Sequence, residues 1–153
     1  HQRVEFSLLS LEQVINQVAK WHYMSAGQSN LPIVIRLIIG KGWGQGPQHS
    51  QSLEAIFAHV PGLKVVAPFT PEDAKGLIIS SIADKNPIIF FEHRWLHETK
   101  SFVFLVHSFD LSTIVPFHNT FINIYCCHDP IGFPNPNRFI YGRISRTPWI
   151  LHQ

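Results

Sequence analysis

The sequence predicts an α/β fold, a parallel sheet flanked by helices, and three observations carry that prediction. Residues 32–39, 63–67 and 88–91 are runs rich in β-branched and aromatic side chains, and they alternate with stretches whose apolar residues recur at helical spacing. The links between these stretches are short, as in sheets whose strands are crossed over by helices. A glycine-dense loop, residues 40–46, follows the first long run, at the strand end where such sheets carry their functional loops.

Val4-Glu5-Phe6 reads as a short opening strand. Leu8, Leu11, Val14, Ile15, Val18 and Ala19 then form one apolar stripe, predicting a helix through about residue 24 that Gly27 stops. Pro32-Ile33-Val34-Ile35-Arg36-Leu37-Ile38-Ile39 is nearly continuous, the pattern of a strand buried on both faces. Residues 50–59 suit a short helix, and 63–67 a second buried strand. Thr70-Pro71-Glu72-Asp73 is a helix entry, with Thr as N-cap, Pro at the first position and acids at the positive end of the dipole. Ala74, Leu77, Ile78 and Ile82 give that helix its apolar face. Asn86-Pro87 ends it, and Ile88-Ile89-Phe90-Phe91 is a third buried strand. The predicted order is β-α-β-α-β-α-β.

Composition narrows the function. Charged residues are only 14% of the chain and the formal net charge is +2, which argues against a nucleic-acid surface built from clustered Lys and Arg. No apolar run approaches the ~20 residues of a membrane span; the best is interrupted by Arg36. The chain begins at His1 without an initiator Met or a signal-like leader, so it reads as part of something longer. All 7 Ala, 6 Lys and 6 Glu lie in the first hundred residues, whereas the last 53 hold 7 of the 12 Phe and both Cys. Residues 1–98 are therefore read as one domain. Residues 99–153 are read as an irregular extension, with a shifted reading frame favoured as the source of its composition.

Gly40-Lys41-Gly42-Trp43-Gly44-Gln45-Gly46-Pro47-Gln48-His49-Ser50 is the most informative stretch. Alternating glycines let a backbone turn tightly and approach a ligand closely; a flexible surface loop satisfies the same spacing. It is not a Walker loop, because no Gly-Lys-Ser/Thr closes it, and its every-second-residue glycines fit the dinucleotide pattern badly. His49 closes the loop ahead of a helix, where an imidazole can carry a proton or donate to a developing oxyanion. Ser50 beside it reads as a helix cap. His93 and His97 have the spacing of a zinc pair, but Arg94 stands where a metalloprotease has Glu. Cys126-Cys127-His128 lacks paired metal-ligand spacing.

A set of ordered blocks then identifies a family. Glu12-Gln13-Val14-Ile15-Asn16-Gln17-Val18-Ala19-Lys20 is followed by Tyr23-Met24-Ser25-x-Gly27, Pro32-Ile33-Val34-Ile35-Arg36 and Gln48-His49-Ser50-Gln51-Ser52. Pro61-Gly62-Leu63-Lys64-Val65-Val66, Asp73-Ala74-Lys75-Gly76-Leu77 and Asp84-x-Asn86-Pro87 complete it. Over about residues 3–97 the chain closely resembles the β subunit of thiamine diphosphate-dependent 2-oxo acid dehydrogenases, pyruvate and branched-chain types, in its transketolase-like pyrimidine-binding domain.

The resemblance implies a cofactor, thiamine diphosphate, held between subunits. The partner α subunit supplies the diphosphate and Mg site, and this domain grips the aminopyrimidine. It implies oxidative decarboxylation of a 2-oxo acid, acyl transfer to a lipoyl-bearing acyltransferase, and a heterotetramer. His49 matches the family's catalytic histidine. Phe6 is the candidate for the aromatic wall against the pyrimidine. Some members also hold potassium, on main-chain carbonyls at positions matching Ile33, Ser81, Ile82, Asp84 and Asn86. The family's ring-activating Glu has no counterpart here; Glu5, placed in the opening strand, is not a match, and the isolated chain is expected to be inactive. Two alternatives remain, a catalytically dead interaction module and a nucleotide-binding domain using the glycine loop. The expected compartment is intracellular: bacterial cytosol, mitochondrion or plastid.

Overall fold

A computed structural model describes residues 1–41, 44–103 and 123–124. The centre of the molecule is a parallel sheet of β1 (Val34–Ile39), β2 (Lys64–Ala67), β3 (Ile88–His93) and the two-residue β4 (Asn123–Ile124), in the order β1-β3-β2-β4. Val34 pairs with Ile88 on one side of β3, and Lys64 with Ile88 on the other. The α/β class and the parallel sheet expected from the sequence are what the chain builds.

β3 is buried because both of its neighbours and both of its faces are covered. Successive side chains of a strand point to opposite faces. Ile89 and Phe91 join one core with Val4, Val14, Leu37, Phe57, Leu63 and Val65, whereas Ile88 and Phe90 join another with Val66 and Leu77. Phe57 from α2 (Glu54–Ala58) meets Phe91 edge-on, with ring centroids 5.8 Å apart. The second core lies under α3 (Pro71–Ala83). There the N-terminus is the predicted one: Thr70 Oγ1 accepts from the Asp73 N–H, and the Thr70 N–H donates to Asp73 Oδ2.

Four expectations are corrected. Val4-Glu5-Phe6 is not a strand but the start of a helical rod, with 3-10 turns over Val4–Ser10, a π turn over Gln13–Gln17, 3-10 over Val18–Lys20 and α1 over Trp21–Met24. A 3-10 helix stacks residues three apart, so Val4 and Ser7 share the buried face, and the Ser7 hydroxyl donates to the Val4 carbonyl at 2.6 Å. Second, β1 is not buried on both faces: Leu37 and Ile39 are buried on one, but on the other Arg36 is exposed and Val34 and Ile38 are half-buried. Third, residues 50–59 are not one helix; a 3-10 turn at Gln48–Ser50 precedes the short α2. Fourth, Ile82 is exposed rather than part of the inner face of α3. Ser81 takes the inner place, four residues beyond Leu77, and its hydroxyl donates to the Leu77 carbonyl at 2.6 Å. The proposed extension, 99–153, lies largely outside the described residues, as does Cys126-Cys127-His128.

One buried ion pair ties β2 to the end of α3. The Lys64 ammonium lies 2.6 Å from Asp84 Oδ2, and both side chains are buried. Burial pushes the Asp84 carboxyl up, but hydrogen bonds from Lys64 and from the N–H and side chain of Asn86 outweigh it and hold the pKa below the usual range. A carboxyl lowered on folding stabilises the fold above its unfolded value, about 3.9, and that contribution is lost as pH falls through the folded value.

Candidate active site

The site grows from the carboxyl end of β1. Gly40 turns the chain at φ +80°, and a Cβ there would lie 2.4 Å from His93 Nε2, so glycine is required by both backbone and space. The buried Arg3 guanidinium donates to the Gly40 carbonyl at 3.2 Å and to Gln45 Oε1. Ser50 does not cap a helix; its hydroxyl donates to the Gly46 carbonyl at 2.8 Å and closes the loop. These side chains, together with the Gly40 N–H donating to the Gln51 carbonyl at 3.0 Å, set where the 3-10 turn carrying His49 sits.

His49 is partly exposed and is gripped from the rod. Its Nδ1 is paired with Glu5 Oε1, and the Phe6 ring lies 5.4 Å from the imidazole, tilted by 34°. Glu5 is nearly buried, and its Oε2 is a buried oxygen without a partner among the described residues. The sequence singled out His49 and Phe6 separately, and the fold brings them together. Glu5, set aside by the sequence as no match for the family's ring-activating Glu, meets the same imidazole. The half-exposed face of Phe6 beside the imidazole fits a flat heteroaromatic ring.

The five residues named for potassium lie at one end of the sheet. The Ile33 carbonyl accepts from the Ile88 N–H at 2.9 Å, and the Ser81 carbonyl from the Asp84 N–H at 3.4 Å. Asp84 Oδ1 accepts from the Asn86 N–H and side-chain amide, and Oδ2 from Lys64. Ile82 is exposed. The Asp84 carboxylate is therefore already neutralised within the chain, and only main-chain oxygens, each with a second lone pair, are suited to a hard cation.

A separate cleft of about 470 Å³ opens over the start of α3, lined by Phe69, Thr70, Phe90, Glu92, His93 and His97 among others, but not by Glu5, Phe6 or His49. His93 accepts at Nδ1 from the Trp95 N–H, and burial, then the neighbouring His97, keep its pKa low. His97 faces Glu92 Oε2 at 3.4 Å, and Glu92 also holds Arg36, which raises the guanidinium pKa further. Burial also pushes the Glu54 carboxyl up at the start of α2, a group the sequence reading did not single out.

The fold is thus a parallel sheet with a glycine-hinged loop at the carboxyl end of β1 and a histidine held beside it. The chain belongs to the transketolase pyrimidine-binding domain family, whose model matches residues 2–99. It is 47% identical over 94 residues to the β subunit of acetoin:2,6-dichlorophenolindophenol oxidoreductase from Cupriavidus necator, covering 61% of this chain and 28% of that one. It is 49% identical over 92 residues to a mitochondrial pyruvate dehydrogenase E1 component subunit beta-1 from Oryza sativa subsp. japonica, covering 60% and 25%. With the pyruvate dehydrogenase E1 component subunit beta from Rickettsia felis it shares 45% over 112 residues, 72% of this chain and 32% of that protein. The chain thus spans between a quarter and a third of the length of these relatives. Among the described residues no helix is long and apolar enough to cross a membrane.

Proposed function

We propose that this chain is the aminopyrimidine-binding part of a β subunit of a thiamine diphosphate-dependent 2-oxo acid dehydrogenase of the pyruvate type. The observation that carries the reading is the histidine at the strand end with an aromatic face beside it, in a segment of 92–94 residues that is 47–49% identical to such subunits. When bound, thiamine diphosphate supplies the carbon nucleophile for the 2-oxo carbon and the sink for the charge left as carbon dioxide departs. Phe6 offers the pyrimidine an apolar wall, and His49 gives or takes a proton at the substrate oxygen. A degenerate interaction module is not favoured, since the relatives this segment matches are β subunits of oxidoreductases and of pyruvate dehydrogenase E1 components.

The partners follow from that reading: an α subunit carrying the diphosphate and Mg site, and a lipoyl-bearing acyltransferase. The rod supports a subunit interface, because Leu9, Trp21, Tyr23 and Met24 stand exposed along it. The compartment goes with the assembly, bacterial cytosol, mitochondrion or plastid. The domain boundary near residue 98 belongs to the same reading. The main-chain carbonyls of Ile33, Ser81, Ile82, Asp84 and Asn86 are proposed as a potassium seat. A melting temperature about 3 °C higher in KCl than in choline chloride at equal ionic strength is expected, and equal values would overturn the seat.

The test of function is a chimera. Residues 2–99 replace the matching segment of a complete β subunit, which is co-expressed with its α subunit and assayed with pyruvate and dichlorophenolindophenol. Cofactor-dependent dye reduction is the expected result. A folded, assembled chimera without it would overturn the reading.

A further inference from the structure

We propose that Glu5 is the positioning residue of His49, deciding which ring nitrogen carries the proton; the inference rests on the proton-transfer reading of His49 given above. The two residues are 44 positions apart in sequence, yet the Glu5 carboxylate meets the imidazole at Nδ1. An ionised carboxylate only accepts hydrogen bonds, so the hydrogen sits on Nδ1. The neutral ring then has its lone pair at Nε2, the nitrogen with no partner among the described residues. Proton transfer runs through that atom. A substrate O–H bond breaks, its electron pair stays on oxygen, and an N–H bond forms at Nε2. The Glu5 carboxylate balances the positive charge that the ring acquires.

The local backbone makes this arrangement. In a strand Glu5 and Phe6 would face opposite ways. In the 3-10 turn over Val4–Ser10 adjacent side chains are about 120° apart, so one turn brings both to the same imidazole. Phe6 limits the ring's rotation from one side, and Glu5 holds its edge. Glu5 is itself shielded from water, and its second oxygen has no competing partner among the described residues.

Long-range ¹H–¹⁵N spectra of the 153-residue chain, taken where His49 is neutral, read the tautomer directly. The native chain is expected to show roughly a tenfold or larger excess of the Nδ1–H form, the size expected of a hydrogen bond to a charged acceptor. Glu5→Ala is expected to lose that excess, and Glu5→Gln, whose amide oxygen still accepts, to keep it. An Nε2–H form in the native chain overturns the proposal even if Glu5→Ala fails to fold; so does an unchanged tautomer in a folded Glu5→Ala. In the assembled chimera Glu5→Ala is expected to lower kcat about ten- to a hundredfold with KM little moved, and Glu5→Gln to recover most of it. A changed tautomer with unchanged kcat overturns the link to catalysis. Unchanged kcat on His49→Ala would instead sink the functional reading itself, so the two failures are told apart.

Discussion

Replacing His49 by alanine in the assembled chimera is expected to cut turnover by about 10²–10⁴-fold, with little change in KM. On the proposed reading the imidazole carries a proton, and its contribution arises as charge moves on the substrate oxygen, not when substrate docks. Its side chain is partly exposed and contacts Phe6 and Glu5, so the fold should lose about 1 kcal/mol or less. Steady-state turnover beside a thermal melt of the same preparation separates the two. A drop in kcat that tracks unfolding would refute the catalytic reading, and a drop at an unchanged melting temperature supports it. Asparagine in place of His49 should be nearly as poor, since an amide can hydrogen-bond but does not titrate near neutrality.

Gly62→Ala is the largest expected loss of stability. The residue sits at φ +100°, and a Cβ there would lie 1.9 Å from the Ala19 carbonyl oxygen, a backbone atom that cannot swing away. The turn ending α2 is pressed directly on the rod at this point, and Lys20 Nζ donates to the Pro61 carbonyl at 2.7 Å beside it. Either the left-handed backbone or the rod must move, at a cost of about 3–5 kcal/mol, a large share of the 5–15 kcal/mol that typically holds a domain together. Gly44→Ala is the control. It also has positive φ, +62°, but nothing among the described residues lies within 4 Å of the added carbon, so the backbone penalty of about 1 kcal/mol is what is expected. Urea unfolding of both variants is the measurement. Equal midpoints would show that the rod yields to the methyl group.

These expectations show unevenly what the linear order could carry. The three strands, α3 and its capping residues were legible because each rests on neighbours in sequence: β-branched runs for the strands, and Thr70, Pro71 and Asp73 within one turn for the cap. The opening segment was not. Three residues, Val4-Glu5-Phe6, alternate as a strand would, and nothing nearby reveals that Val4 and Ser7 will share one buried face. Ile82 was misplaced for a related reason: spacing names a face, but packing against the sheet decides how far around the helix that face extends.

The site divides in the same way. His49 and the glycine hinge could be found from sequence because loop position and spacing are local properties. The sequence alone also determined the α/β class, the parallel sheet and the family, through residue blocks whose order and spacing survive any uncertainty about contacts. Only the tertiary structure decided that Glu5 is the partner of His49, that Phe6 stands against the same ring, and that Lys64 neutralises Asp84. The physical reason is distance along the chain. Side chains 20 or 44 residues apart meet only after the strands have paired and the rod has packed across them, so no local pattern encodes the encounter.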